Sequence, residues 1–164
     1  MKAITVRPPW AWLFVPEIFS RCPEHVREYY GRPRDCENRS HGSPALQQAR
    51  HMLQEQGPFD LLIHVGLHKE DEWCDHFGLH FLPVGRLLCV VEVHDIRFRT
   101  PGAGADDRAA DSRYSPWHTP LATAIYVRNP RPLETPVPWR GQLHLFDVPD
   151  DAFAIREPME ALHE

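Results

Sequence analysis

Two apolar stretches decide the fold class: Phe59-Asp-Leu-Leu-Ile-His-Val-Gly66 and Gly85-Arg-Leu-Leu-Cys-Val-Val-Glu-Val-His-Asp-Ile96. Both are rich in aliphatic and β-branched residues, and each is bounded by a glycine or by polar residues, which is typical of strands. The second stretch is the longest strand signal in the chain. Its consecutive apolar residues predict a central strand that is buried on both faces at one end.

Shorter strands are predicted on either side of this pair, over residues 3–6, 122–128 and 143–148. A proline-rich connection over 130–138 separates the last two, because proline removes a backbone donor from a sheet. Five or six strands with short helices on one side predict an α+β fold, a small mixed β-barrel.

Three helices are expected. Pro8-Pro9 opens one over residues 10–15, which Pro16 ends or kinks. A second spans residues 44–56, with Ser43 as N-cap and Gly57 as its stop. A third covers 68–77, and the remaining long polar segments, 20–43 and 100–113, are interpreted as loops, the latter flexible.

The composition describes an ordinary globular chain of one domain over residues 1–164, with 42% hydrophobic and 25% charged residues. No apolar run approaches the roughly 20 residues that span a bilayer, and the first residues do not resemble a signal peptide. The cytoplasm is therefore the expected location, without a membrane. The four cysteines form no CxxC pair, so neither a disulfide framework nor a zinc ribbon is predicted.

The net charge of −5 argues against nucleic-acid binding, although a local arginine cluster can act within an acidic protein. The eleven histidines raise the possibility of a metal site. Cys74, His76 and His80 form a nominal zinc half-site. Gly78 interrupts any single helix that would align them, and no second half-site has suitable spacing, so no metal and no cofactor are predicted.

Five fragments follow one another in the order seen in ASCH domains, which the chain resembles over nearly its whole length. They are Met1-Lys-Ala-Ile-Thr-Val-Arg-Pro-Pro-Trp-Ala11, then Gly31 with Arg34-Asp-Cys-Glu-Asn-Arg-Ser40, the strands 61–66 and 85–96, and a closing segment from Ser115-Pro-Trp117 to Phe146. The second fragment resembles the GxKxxExR signature of that family. Together the fragments identify the chain as similar to ASCH domains.

The resemblance implies a PUA-like β-barrel with a cleft beside the first helix and the ExR loop. It also implies RNA or nucleotide ligands, since the relatives include RNA-binding domains, ribonucleases and acetylcytidine amidohydrolases. Two departures from the family pattern predict insertions, near residues 16–30 and near 41–57. The second replaces a segment that usually brings an arginine to the cleft mouth.

The candidate ligand-binding residues fall in these matched fragments. Trp10 and Trp117 can stack on a base, although a tryptophan in a small protein is as often part of the core. The residues expected to read a base edge or to hold phosphate are Glu37, Asn38, Ser40, Arg34, Arg39 and Arg140, with His64 and Ser115 nearby. The alternative is that Glu37 and Arg39 form an internal salt bridge that only ties the loop to the barrel.

Three functions remain open on these residues. The first is a module that binds single-stranded RNA or a modified nucleoside without turnover. The second is an enzyme, either a metal-independent ribonuclease that uses His64 or His118 with Arg34 or Arg39, or a nucleoside-directed hydrolase. The amidohydrolase is disfavoured because Arg34 stands where that group has a lysine, and arginine does not lose its proton. The third is a protein-binding module, which an exposed apolar patch on the helix at 44–56 would favour.

Overall fold

The computed structural model describes residues 1–100 and 113–158. Its strands are β1 (Lys2–Val6), β2 (Cys36–Arg39), β3 (Phe59–Val65), β4 (Arg86–Phe98), β5 (Thr123–Pro138) and β6 (Phe146–Asp147). Its α-helices are α1 (Pro16–Phe19), α2 (Glu24–Tyr30), α3 (Pro44–Gln56) and α4 (Asp71–Phe77), and short 3-10 helices cover Trp12–Phe14 and Asp150–Ala152. In the described ranges the α+β class is therefore confirmed.

The six strands form one mixed sheet in the order β2-β5-β4-β3-β1-β6. β1 runs parallel to β3, with Val6 opposite Val65, and the other pairings are antiparallel. β2 and β6 are the two edges, and within the part of the chain that is described no pairing joins them. The sheet is therefore open.

Both faces of the sheet are covered by apolar side chains. In β3, Leu61, Ile63 and Val65 pack into the main core with the helices, and Leu62 packs into a smaller cluster on the opposite face. This alternation follows from the two-residue repeat of a strand. The prediction of a buried strand at 59–66 and of a long central strand beginning near residue 85 is confirmed.

The predicted end of the first helix at Pro16 is wrong. The chain makes only a 3-10 turn at Trp12–Phe14, and Pro16 is the first residue of α1. Proline suits this position because the first N–H of a helix has no intrahelical acceptor. The helix over 44–56 is confirmed with its stop at Gly57, and the Ser43 side chain makes no capping bond.

The interpretation of residues 20–43 as loop is also wrong. α2 lies between Pro23 and Gly31, and Gly31 has φ of 70°, the left-handed conformation that ends many helices. Its buried residues Val26 and Tyr30 are four apart, so they form one apolar stripe. The proline and the glycine therefore bound a helix instead of marking a loop.

The proline-rich segment 130–138 is not a connection but the second half of β5. The Trp139 N–H donates to the Gly85 carbonyl beside β4 (3.1 Å), whereas the Glu134 N–H points the other way, to the Ala154 carbonyl (2.8 Å). Pro132 faces the same way as Glu134, because its carbonyl accepts from the Arg156 N–H at 2.9 Å, and Pro138 directly precedes the Trp139 N–H that faces β4, so neither proline removes a donor from the β4 ladder.

Two other segments differ from expectation or lie beyond the description. The last strand is limited to Phe146–Asp147, shorter than the predicted 143–148. The flexible loop expected at 100–113 lies, apart from its two end residues, outside the described residues. No helix in the described ranges has the length and apolarity to cross a bilayer.

Candidate ligand-binding cleft

An open cleft of about 920 Å³ lies between β1 and the edge strand β2, where the sheet does not close. The two strands are bridged by a side chain, because Arg39 Nη2 donates to the Thr5 carbonyl oxygen at 2.9 Å. The cleft gathers seven of the ten predicted ligand-binding residues. These are Trp10, Arg34, Glu37, Asn38, Arg39, Ser40 and Trp117.

The Glu37 carboxylate lies between two guanidinium groups. Its Oε2 is 2.7 Å from Arg34 Nη1, and its Oε1 is 3.2 Å from Arg39 Nε. Glu37 and Arg39 share a face because they are two residues apart in β2. The internal salt bridge that was weighed as the structural alternative is therefore present, and it forms part of the cleft wall.

These ion pairs leave hydrogen-bonding capacity unused. The close contacts have angles outside the hydrogen-bond range, so Arg34 Nη1, Glu37 Oε2 and Arg39 Nε have no hydrogen-bond partner among the described residues. The side chains of Arg34 and Glu37 are only 6% and 11% exposed. These atoms have almost no accessible surface, so a ligand in the cleft meets the cluster mainly through Arg39, whose side chain is 27% exposed.

Trp10 and Trp73 form an aromatic corner on the other side of the cleft. Their ring centroids are 5.0 Å apart at an interplanar angle of 56°. Trp10 Nε1 donates to Glu70 Oε2, and the Arg34 guanidinium carbon lies 5.7 Å from the Trp10 ring centroid. Trp73 is 40% exposed; its ring packs on Phe77 at an interplanar angle of 25°, and it borders both this cleft and a neighbouring depression lined by Tyr29 and His76.

Trp117 forms the floor of the cleft rather than a free stacking platform. Its ring is 4% exposed and stacks on Tyr30, with centroids 3.6 Å apart and planes at 9°. Its indole N–H donates to the Arg32 carbonyl at 3.0 Å. Trp117 therefore matches the alternative that assigned a tryptophan to the core, although it also lines the cleft.

Asn38 ties β2 to the segment that carries Trp117. Its amide nitrogen donates to the Trp117 carbonyl at 3.0 Å, and its amide oxygen accepts from the Thr119 N–H at 2.9 Å. Both functional groups are thus engaged with backbone, which fixes the cleft wall and leaves one amide hydrogen for a ligand.

Three of the predicted residues lie outside the cleft. Ser115 is buried; its hydroxyl donates to an Asp35 carboxylate oxygen and accepts from the Trp117 N–H at 3.1 Å. Arg140 is exposed and does not line the cleft, although Gln142 and His144 shortly after it do.

His64, the third, lies behind the wall of the cleft. It is 1% exposed, and its Nε2 donates to the Trp139 carbonyl at 2.7 Å. Because a carbonyl can only accept, Nδ1 is the unprotonated nitrogen, and it accepts from the Thr5 hydroxyl at 3.1 Å. Burial lowers the pKa of His64, so the neutral ring is favoured. The side chain supports Thr5, which lines the cleft.

His118 is fully buried and is held in the same way. Nδ1 lies 2.8 Å from the Tyr126 hydroxyl, and Nε2 lies 2.8 Å from the Ala122 carbonyl. Burial lowers its pKa, with Arg99 and Arg97 acting in the same direction. The described geometry brings neither His64 nor His118 to the cleft surface as a catalytic group would require.

Lysine side chains and metal-binding clusters are the two remaining kinds of catalytic group considered for the cleft. The described residues that line it include no lysine, and the Lys69 ammonium lies 5.8 Å from the Trp12 ring centroid. Within residues 1–100 and 113–158 no group of three or more His, Cys, Asp or Glu side chains is arranged to hold a metal. His80 instead pairs with Asp75 at 3.1 Å.

Several cleft residues were not predicted from the sequence. Besides Trp73 and Glu70, the rim contains Leu143, which is 84% exposed, and His144, whose φ is 65°. A non-glycine residue in the left-handed region is uncommon, although Phe81, Leu121 and Asn129 adopt it outside the cleft as well. A tryptophan among acidic residues at a helix start, as in Glu70-Asp-Glu-Trp73, is the signal that was available in the sequence.

No protein-family model matches the chain, and no curated protein matches it significantly.

Proposed function

We propose that the protein is a binding module of the ASCH type that holds a nucleotide of RNA, or a modified nucleoside, in the cleft between β1 and β2. The observation that carries this proposal is the cleft itself, whose lining includes both Trp73 and the Arg34–Glu37–Arg39 cluster. Its volume of about 920 Å³ lies within the range of small-molecule sites.

Each wall has a distinct role in this proposal. A base stacks on Trp73 beside Trp10, an interaction of about 1–3 kcal/mol for any base. Glu37 accepts from an amino or ring N–H group of the base, and Ser40 at the rim adds a hydroxyl. Arg39 and Arg34 donate to phosphate or to base oxygens.

The proposal extends to the fold and the location. An open sheet whose edge β2 is bridged to β1 by the Arg39 guanidinium is compatible with the PUA-like barrel that the resemblance implies. The seam between these strands is then the binding site. The four free, buried cysteines suit the reducing cytoplasm, which we propose as the location.

Binding without turnover is favoured over the other two functions. A ribonuclease needs a base at the reacting atom; both histidines predicted for that role are buried with each ring nitrogen engaged, which leaves His144 at the rim as the imidazole that such an enzyme would have to use among the described lining residues. A partner-binding role was tied to an apolar patch on α3. All residues of α3 are described, and its large apolar side chains face the core or are partly covered by it.

The proposal is tested by tryptophan fluorescence during titration with nucleoside monophosphates, modified nucleosides, and short single-stranded RNA and DNA. The expected result is a saturable change in the wild type that Trp73→Ala weakens about tenfold, as the loss of one stacking contact predicts. The matched control is Trp139→Phe, since Trp139 packs on the opposite face of the sheet. Unchanged fluorescence across the whole panel would refute the proposal.

A further inference from the structure

A second depression, of about 680 Å³, lies between α2 and α4. Among the described residues that line it, five of seven carry an aromatic or imidazole ring, and the other two are Val26 and Glu72. The rings are those of His25, Tyr29, Tyr30, Trp73 and His76. We name this depression the aromatic pocket.

The pocket exists because one face of each helix carries these side chains. His25 and Tyr29 are four residues apart in α2. Glu72 and His76 have the same spacing in α4, so each pair shares one face of its helix. The two faces meet where the ring centroids of His25 and His76 lie 5.9 Å apart. The sequence spacing of two short helices therefore builds one concave, ring-lined site.

Neighbouring rings in the aromatic pocket stand nearly at right angles. Tyr29 and Tyr30 have an interplanar angle of 80°, and Trp73 and His76 have one of 89°. Rings at such angles do not stack on one another, so they bound the pocket as separate walls. Tyr29 and Trp73 are 47% and 40% exposed, which leaves part of these walls open to a ligand.

The charge around the pocket is negative. Glu72 is the one carboxylate among the described lining residues, and none of those residues is a lysine or an arginine. Four further exposed carboxylates lie on the same two helices, and they outnumber Arg27, the one arginine there. They are Glu24, Glu28, Asp71 and Asp75. Charge complementarity therefore favours a cation as the occupant.

Aromatic walls combined with a carboxylate suit a particular kind of cation. The face of an aromatic ring attracts a positive charge that lies within about 6 Å of the ring centroid. A bare ammonium group is strongly hydrated, whereas a methylated one sheds water more easily and its methyl groups pack against the rings. A neutral apolar group would leave Glu72 without a counter-charge, and an anion would be repelled by it.

We propose that the aromatic pocket binds a quaternary ammonium group on an aliphatic chain, the chemistry shared by choline and by a trimethylated lysine side chain. The inference does not depend on the proposed function, which concerns the cleft between β1 and β2. α2 lies within the segment 16–30, where the sequence departs from the ASCH pattern, so the resemblance does not imply this pocket. Tyr30 and Trp73 border both sites and are therefore left unchanged in the test.

The test is a titration of choline with the full chain, followed by proton NMR, in which methyl groups held against aromatic rings shift upfield. The matched small probes are ethanolamine, which carries a bare ammonium, and the neutral analogue of choline in which carbon replaces the ammonium nitrogen. A short peptide with one trimethylated lysine is compared with the same peptide unmodified. Choline and the trimethylated peptide are expected to bind roughly tenfold more tightly than their matched probes.

Two variants place the ligand in the pocket. Tyr29→Ala removes one wall and is expected to weaken choline binding by roughly threefold to tenfold, whereas Tyr29→Phe keeps the ring and the affinity. Glu72→Gln is expected to weaken binding by roughly twofold to fivefold. Its matched control is Glu134→Gln, which removes the same charge at an exposed residue outside the pocket and should change nothing.

Equal binding of choline and its neutral analogue would overturn the inference, because the pocket would then be merely apolar. Failure of both choline and the trimethylated peptide to bind at tens of millimolar would also overturn it. So would unchanged affinity in both Tyr29→Ala and Glu72→Gln, since the ligand would then lie elsewhere. Tighter binding of the peptide than of choline supports the inference and assigns the group to a protein side chain, and the reverse order supports it and assigns the group to a small molecule. Failure to bind a nucleoside monophosphate bears only on the cleft.

Discussion

Replacing Gly141 by alanine tests the packing behind the cleft. A Cβ on Gly141 would lie 2.8 Å from His64 Cε1, 3.0 Å from His64 Nδ1 and 3.0 Å from Thr5 Oγ1. His64 cannot retreat easily, because it is 1% exposed and both ring nitrogens are bonded. The methyl group must therefore push apart the contact between Thr5 and His64.

Two terms set the expected loss of stability. Overpacking a filled site costs about 1–3 kcal/mol. Losing the Thr5–His64 bond leaves a buried ring nitrogen without a partner, at a cost of about 1–3 kcal/mol. Because one displacement causes both effects, we expect the free energy of unfolding to fall by about 2–4 kcal/mol in total. Ligand affinity falls as well, since the next residues, Gln142 to His144, line the cleft.

The assay is urea unfolding, in which a lower midpoint with an unchanged m value reports a loss of stability. Gly42→Ala is the matched control because its Cβ meets no atom within 4 Å. It is expected to be neutral or to stabilise by about 0.4–1 kcal/mol. Combining Gly141→Ala with His64→Ala makes room for the methyl group, so the double variant should lose less than the sum. Equal midpoints for Gly141→Ala and Gly42→Ala would refute the reasoning.

Three further predictions concern buried polar groups. Glu37→Gln leaves the 6% exposed Arg34 without its counter-charge and should lower the free energy of unfolding in urea by about 3–5 kcal/mol; a loss below about 1 kcal/mol would contradict this. Burial lowers the pKa of His64 and of His118 in the folded state, so the unfolded chain binds more protons once the pH falls below about 6.5. The contribution of the two neutral histidines to the free energy of unfolding is then fully present above that pH. It is lost as the pH falls towards the pKa values of the folded state, by up to about 1.4 kcal/mol per pH unit for each histidine. Urea midpoints that stay constant between about pH 7.5 and 5.5 would contradict this prediction. Burial raises the pKa of the Cys36 thiol to about 12, and all four thiols are buried. A thiol reagent near pH 8 should therefore label the cysteines only after denaturation. Rapid labelling in native buffer would contradict this, because it would show that the thiols are accessible.

The parts of the fold that were predicted are those in which burial shapes the sequence pattern. β3 and the first half of β4 are covered on both faces and are therefore mostly apolar, with Asp60, His64 and Arg86 as the exceptions. β2 was missed because it is an edge strand whose Glu37 and Arg39 face the cleft, so its residues follow the chemistry of the site rather than a strand pattern. The prolines of β5 were misinterpreted because a proline interrupts a sheet only where its missing N–H would have bonded to a neighbouring strand.

The candidate site was predicted in part for a related reason. The motif around Glu37 was located because it resembles the ASCH signature, and the structure brings Arg34, Glu37 and Arg39 together. Trp73 was missed and the role of Trp117 was overstated, since sequence alone does not tell an exposed ring from one that stacks on Tyr30. His64 and His118 were candidates as acids or bases, but each is instead satisfied by a hydroxyl and a carbonyl.

The most direct test of the central claim is an experimental structure of the protein with a bound nucleoside monophosphate or short single-stranded oligonucleotide. The account predicts the base against the Trp73 ring, with its edge within hydrogen-bond distance of Glu37 and its phosphate or oxygens near Arg39 and Arg34. Ligand density on another surface, with the cleft between β1 and β2 empty at saturating concentration, would contradict it.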